Sequence, residues 1–467
     1  MTIKEMEYIN DIKSKYIKKD IFLFLNEKQK LGMIIYNKEL QRLCEVNIKD
    51  YQKMSGKYKI GEKNGNGRVY ILNKNKLIFE GEYLDGKKNG KGKEYYDNGQ
   101  LKFVGEYLNG RRNGKGKEYY KNGELKFDGE FLNGKIWNGN GYNLKGIIEF
   151  EVKEGNGNIK EYDHNGLFKF EGEYLNGERN GKGKEYYGYK LEFDGEFLNG
   201  KRNGKGKEYR CGKLEYEGEF LNGKRNGKGK EYYVFGKLKF EGEYLDEERN
   251  GKGREYYYNG KLKFEGEFVN GRYWNGKGYN VKGYIEFEIK EGNGKIKEYN
   301  DYGALKFIGR YINGERYGKG KEYDLNYKLK FEGEYLDGER SGKGKEYDIN
   351  GKLKFEGEYL NGLRNGKGKE YDIKGNLTFE GEYLKGKRWN GKGKENYSGG
   401  DLKFVGEYLK GKLTGKGKEY YAYGQLKYEG EYLKGKKHGK GKEYNSFGEI
   451  KFEGEYFKGE RLNKKRK

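Results

Sequence analysis

The chain has 467 residues and a formal net charge of +24, with 37% of its residues charged and only 33% hydrophobic. So lean a composition excludes one large globular core, and no apolar run approaches the ~18 residues of a membrane-spanning helix. There is no proline, and two cysteines, Cys44 and Cys211, do not make a disulfide framework, which favours a reducing compartment.

Residues 1–55 stand apart because they lack the glycine period of everything after them. The opening MTIKEMEYINDIK has no apolar stretch of the signal-peptide kind, so the expectation is a soluble, cytoplasmic protein, peripheral at a membrane if bound to one. Ile21 to Leu25, then Leu31, Ile34, Ile35, Leu40 and Leu43, predict two or three short helices with an apolar side. The stretch Asp20–Gln41 faintly resembles an F-box, the helical module that docks onto ubiquitin-ligase scaffolds, although the usual leading Leu-Pro is absent. The plainer reading is a cap over the first edge of a sheet.

From residue 56 a glycine recurs in an F-x-G-x-Y setting at Gly81, Gly105, Gly129, Gly172, Gly195, Gly218, Gly242, Gly266, Gly309, Gly333, Gly357, Gly381, Gly406, Gly430 and Gly454. Most steps are 24 residues, which marks a repeat architecture of about 17 repeats over 56–460. In Leu353–Tyr359 the Leu, Phe, Gly and Tyr share one parity and Lys and Glu the other, the period-2 pattern of a strand with one covered face. Asn361-Gly362 and Asn365-Gly366 supply residues that tolerate φ > 0, as a tight hairpin needs. Gly366–Tyr371 is then the returning strand. The face taken by its tyrosine stays open: Tyr119, Tyr186 and Tyr232 are followed by Tyr, whereas Tyr347 and Tyr371 are followed by Asp. Short repeats fall near 147–163 and 284–300, each preceded by an inserted tryptophan, Trp137 or Trp274; Trp389 is the same insertion alone. These rings read either as anchors or as bulge residues folded back onto the sheet.

The run Phe79, Gly81, Tyr83, Gly86, Gly90, Gly92, and again Phe103, Gly105, Tyr107, Gly110, Gly114, Gly116, resembles the MORN (membrane occupation and recognition nexus) repeat. The resemblance covers about residues 56–460. It implies a mainly β fold, an elongated single-layer antiparallel β-hairpin ribbon, here with a small helical head. It also implies scaffolding, dimerisation or attachment to membranes, sometimes through acidic phospholipids. The departure is the KEY tail, where Glu94 or Glu118 stands at a position many members fill with an apolar residue.

Charge is placed as regularly as glycine. Lys87, Lys88, Lys91 and Lys93 cluster at and just after one hairpin tip, and Arg111, Arg112, Lys115 and Lys117 at the next. Lys201, Arg202, Lys205 and Lys207, then Lys224, Arg225, Lys228 and Lys230, repeat the device. Stacked repeats would file these tips into a basic edge stripe for an acidic phospholipid surface or an acidic protein. The tail Arg461–Lys467 is a further basic run.

No cofactor, metal cluster or catalytic pair is legible. His164 and His438 each stand alone, and glutamates such as Glu356, Glu358 and Glu370 recur in every repeat like a solvated strand face rather than an acid–base couple. The reading is a non-enzymatic scaffold. Residues 1–55 docking a ubiquitin-ligase scaffold, with the repeats choosing the client, is the alternative; two chains pairing through a sheet edge is a further option. Nucleic acid is disfavoured, because the tyrosines that would stack on bases are needed as core.

Overall fold

The computed structural model describes residues 25–26, 29–30, 38–44, 46, 50, 53, 55–72, 74–398 and 400–462. Within the expected helical head it shows the helix Lys38–Leu43, with Leu40 buried. Most of the F-box-like stretch, and the tail from residue 463, lie outside the described residues. The chain divides into two units, Met1–Lys224 and Arg225–Lys467.

In the first unit, strands from Lys57–Gly61 to Ile148–Val152 form an open nine-stranded antiparallel sheet in chain order. The meander resumes with Gly157–Tyr162 and runs to Lys213–Leu221. In the second unit, strands from Leu238–Leu245 to Ile285–Ile289 pair the same way, and an open 15-stranded sheet follows from Gly294–Tyr299 to Glu460–Arg461. Each unit is interrupted inside its short hairpin, at the isolated bridges Lys153↔Asn156 and Lys290↔Asn293. There the turns flanking the short hairpin touch: Lys121 N–H donates to the His164 carbonyl and Tyr258 N–H to that of Asp301, both at 2.8 Å.

One repeat shows how the sequence makes the hairpin. Strand Leu353–Leu360 pairs with Leu363–Tyr371 so that Phe355 faces Glu370, Gly357 faces Gly368 and Tyr359 faces Arg364. Directly opposed residues share a face, so the aromatic face carries an arginine and a glutamate as well as rings. Phe355 and Tyr359 are 0% and 4% exposed. Phe355 meets Tyr359 edge-on at 5.6 Å and Tyr383 of the next repeat at 5.0 Å. The same contact recurs from repeat to repeat and supplies ~0.5–1.5 kcal/mol per pair beyond burial.

The central glycine is a matter of space. A Cβ on Gly357 would lie 2.6 Å from the Gly368 Cα and the Lys367 carbonyl, and 2.7 Å from the tip of the Phe355 ring. At the hairpin tip Asn361 and Gly362 sit at φ 48° and 78°, the left-handed pair that a two-residue hairpin needs. Tips are then tied to one another. Gly362 N–H donates to the Arg340 carbonyl one repeat earlier at 2.9 Å, and Gly110, Gly134 and Gly386 do the same to Lys88, Arg112 and Arg364.

The tyrosine face left open by the sequence is settled by a register shift between Glu370 and Tyr371. Tyr371 turns to the polar face and donates to Glu356 at 2.7 Å. A following tyrosine stays on the aromatic side and reaches onward: buried Tyr120 donates to the Tyr142 carbonyl at 2.7 Å. Where Asp follows, as at Asp348, its carboxylate instead accepts the turn N–H groups of Asn350 and Lys352.

Candidate interaction surface

The second basic residue of each predicted tip cluster does not join an exposed stripe. Arg112 lies 4.0 Å over the Phe103 ring and bridges Glu94 at 2.8 Å and Glu118 at 3.4 Å. Arg202 covers Phe193 and bridges Glu185 and Glu208, both at 2.7 Å. Lys88 sits 3.9 Å over Phe79 and pairs with Glu94 at 2.9 Å. Arg225, half-buried in the second unit, holds Glu247 through its backbone N–H at 2.8 Å. The physical reason is register: this position lies opposite an aromatic side chain and its stem is drawn into the core face.

Alternating cationic and carboxylate groups thus form runs of a ladder in each unit, Glu161, Arg179, Glu185, Arg202 and Glu208 in the first. In the second unit it runs Glu298, Arg316, Glu322, Arg340, Glu346, Arg364, Glu370, Arg388. The KEY glutamates expected on a solvated face are its rungs, with Glu346 and Glu370 only 21% and 22% exposed. Burial pushes Glu94 up, but Arg112 and Lys88 outweigh it and hold that carboxyl at about 2. Arg249 and Tyr244 do the same for Glu231 against its burial, also to about 2.

The fourth residue of each cluster lies on the opposite, glycine-lined face. Lys93, Lys117 and Lys207 pair there with Glu80, Asp128 and Glu217 at 4.0, 2.8 and 3.7 Å, and Lys230 stands opposite Glu241. Lys91, Lys115, Lys205 and Lys228 are exposed but stand opposite Glu106, Glu130, Glu219 and Glu243. In the second unit this face holds a groove of about 1500 Å³ floored by Gly320, Gly333, Gly344, Gly357 and Gly368, with lysine and glutamate on both walls. Its lining carries eight cationic and six acidic side chains, a small excess of positive charge.

The first residue of each cluster, Lys87, Arg111, Lys201 and Lys224, is exposed at a tip. Lys87, Arg111 and Lys201 face Leu84, Leu108 and Leu198 across the hairpin, leucines that are about half exposed. The tips are not uniformly basic. Glu178 stands at this position in the first unit, and Asp246, Glu247, Glu248, Glu315, Asp337 and Glu339 make acidic tips in the second. Sequence reasoning missed the basic tips of the last repeats, Lys385 and Lys387, Lys410 and Lys412, Lys434 and Lys436, although the exchange of Asn for Lys before the tip glycine was there to be read.

The three tryptophans are half-buried. Trp137 and Trp274 lie against the tip glycines of the short hairpins, where a Cβ on Gly155 or Gly292 would come within 2.8 Å of the ring, and Trp389 lies similarly over Gly411. Their carbonyls accept the N–H groups of Gly155, Gly292 and Gly411, the part played elsewhere by the ladder residue. Among the described residues no group of three or more His, Cys, Asp or Glu is placed to hold a metal, and no helix is long and apolar enough to cross a membrane.

The MORN repeat family model matches residues 79–101, 103–124, 170–188, 193–211, 216–234, 240–261, 331–352, 355–377, 404–424 and 428–446. The long stretches it passes over, 125–169, 262–330 and 378–403, contain the tryptophan insertions and both short hairpins. A search of curated proteins found no match. Among solved structures, the complex TcdB2-TccC3-Cdc42 is similar at 11% identity and a TM-score of 0.14, covering 81% of this chain and 24% of that one. The Photorhabdus luminescens Tc holotoxin pore is similar at 10% identity and a TM-score of 0.14, covering 81% and 25%. The chain therefore spans about a quarter of the length of these solved chains. With ten matched copies spread over an antiparallel hairpin sheet in which each copy is one hairpin, the chain belongs to the MORN-repeat family.

Proposed function

We propose that this protein is a non-enzymatic scaffold whose first unit attaches reversibly to an acidic phospholipid surface through its hairpin tips. The observation that carries the reading is the tip pairing of an exposed leucine with an exposed cation, Leu84 with Lys87 and Leu108 with Arg111. Such a pair sets an apolar group beside a charge that meets a phosphate. Each cation near an anionic leaflet is worth about 1 kcal/mol, fading within a Debye length. A few tips on one plane suit weak, salt-sensitive attachment rather than permanent anchoring.

The test is sedimentation with phosphatidylcholine vesicles, with and without phosphatidylserine or phosphoinositide, using the full chain and its Lys87→Glu/Arg111→Glu variant. Binding that needs the anionic lipid, falls with salt and weakens in the variant supports the reading. Absence of binding at low salt, or binding indifferent to salt or to the variant, overturns it and leaves an acidic protein as the partner to seek.

A further inference from the structure

In several repeats a tyrosine directly follows the returning strand: Tyr96, Tyr120, Tyr233, Tyr257, Tyr397 and Tyr421. Each hydroxyl donates, at 2.7–2.9 Å, to the carbonyl that ends the next repeat's returning strand. Lys102, Lys126, Lys263, Lys403 and Lys427 sit 5.7–5.9 Å over five of these rings. The ring is thus held between a lysine and the neighbouring backbone.

Three adjoining repeats of the second unit lack it. Asn300, Asp324 and Asp348 stand in its place, and their side-chain oxygens accept N–H groups of their own turns. Among the described residues no side chain donates to the carbonyls of Tyr323, Tyr347 or Tyr371, which end the next returning strands. Lys306, Lys330 and Lys354, which would cover the missing rings, are exposed, and among the described residues they form no ion pair. The vacated places open into a groove of about 1100 Å³ that includes Tyr323, Leu329 and Tyr347 in its lining, together with Leu325, Ile349 and Ile373, which are 77%, 80% and 72% exposed.

We propose that this groove binds an acidic, tyrosine-bearing segment of another protein in extended form, its rings taking the three places these repeats leave empty. What fills the same place in the other repeats identifies the occupant: a phenol beneath a lysine, its hydroxyl on a backbone carbonyl. Three such places in file call for one chain rather than separate rings. Successive places lie two strands apart, about 9.6 Å. A polyproline-II chain rises about 9.3 Å over three residues and returns every third side chain to the same side, and chains of that form dock in aromatic-lined grooves. Tyrosine at every third position therefore keeps step with the repeats. The three lysines add the sign of charge: acidic residues between the tyrosines meet ammonium groups that have no carboxylate of their own. The site uses neither the hairpin tips nor the first unit, so it stands or falls apart from the lipid reading.

The test is fluorescence anisotropy of a labelled synthetic peptide of three Tyr-Glu-Glu units with the full chain at low salt. The expected result is saturable binding that weakens with salt and falls about tenfold or more when alanine replaces the peptide's tyrosines. Asp324→Tyr/Asp348→Tyr, which restores the ring the sister turns carry, should fall as far, because the groove is then filled from within. Lys330→Glu/Lys354→Glu changes exposed positions only and should weaken binding with circular dichroism unchanged; it and the peptide comparison carry the test if the filled variant misfolds. Lys87→Glu/Arg111→Glu should bind like wild type. Absence of binding at low salt overturns the proposal, as does equal affinity for the alanine peptide. Wild-type affinity in a folded filled variant or in the lysine variant, or loss of binding in Lys87→Glu/Arg111→Glu, overturns it too.

Discussion

Replacing Arg364 by methionine tests whether the ion ladder holds repeats together. Methionine keeps a flexible stem over Phe355, whose ring lies 4.1 Å from the guanidinium, so the change removes charge more than packing. Glu346 keeps Arg340 at 3.4 Å and Glu370 keeps Arg388 at 2.7 Å, so each carboxylate loses one of two partners. Breaking a fully buried pair costs ~3–5 kcal/mol; half-buried groups that keep one partner should cost about 2. The lost cation–π contact adds about 1 kcal/mol. A total near 3 kcal/mol is about 100-fold in the local opening equilibrium. Repeat stability is a sum over neighbours, so the loss should stay local and appear as faster amide exchange in 353–384 but not in 101–119. The pH dependence follows from the same groups. Burial raises the carboxyls of Glu346 and Glu370, but Arg364 and Arg388 respectively, among other partners, hold them below the usual range. A depressed carboxylate stabilises the fold above its unfolded value, near 4.3, and the gain is lost as pH falls through the folded one. The ratio of variant to wild-type exchange should therefore shrink at pH 3. An equal ratio at pH 7 and pH 3, or equal acceleration in the remote peptide, would refute the reasoning.

Four further outcomes are expected. Gly357→Ala forces a Cβ into Gly368 and the Phe355 ring and should cost at least ~2–3 kcal/mol. Gly375→Ala meets no atom within 4 Å and pays only for φ +88°, about 1 kcal/mol; local exchange rates that rank the two the other way would disprove the spatial account. With Glu94 and Glu231 held at about 2, near-ultraviolet dichroism of the tyrosines should persist to pH ~4.5 and decline between there and pH 2, whereas decline on raising pH from 5 to 8 would contradict the ladder. Lys434 holds the left-handed position at its tip at φ 54°, so Lys434→Asn should stabilise that hairpin by ~0.5–1 kcal/mol by suiting the turn, seen as slower exchange in 426–444; faster exchange there would contradict this. Tyr120→Phe removes a buried hydrogen bond to the Tyr142 carbonyl and should cost about 1–2 kcal/mol, with a null effect placing that hydroxyl in water.

The parity of Leu353–Tyr359 was enough to assign the buried Phe355 and Tyr359 and to foresee hairpins turning at Asn361-Gly362, because strand periodicity and turn chemistry are local. The returning strand was not legible in the same way. A residue shift at Glu370 moves Tyr371 to the polar face, and nothing within Gly366–Tyr371 announces it. The ladder pairs Arg364 with Glu346, 18 residues back, and that separation gains meaning only once register is known. Reading Glu370 as solvated followed from treating all recurrent glutamates alike, when those beside glycine face outward and those beside tyrosine face the rings. The basic edge likewise needed the hairpin to show that Lys87, Arg111 and Lys201 stand exposed at their tips opposite leucines, while the rest of their clusters face rings or carboxylates.

The tip-to-tip bonds from each turn glycine to the carbonyl one repeat earlier give the chain a mechanical character. Pulled from its ends, such a sheet yields by unzipping a hairpin at a time, since strands adjacent in space are also adjacent in sequence and only one seam is loaded. Each yield frees about 24 residues, roughly 80 Å of contour, and leaves the next seam intact. Full repeats would therefore lengthen the chain in steps of that size, and the short hairpins in smaller ones.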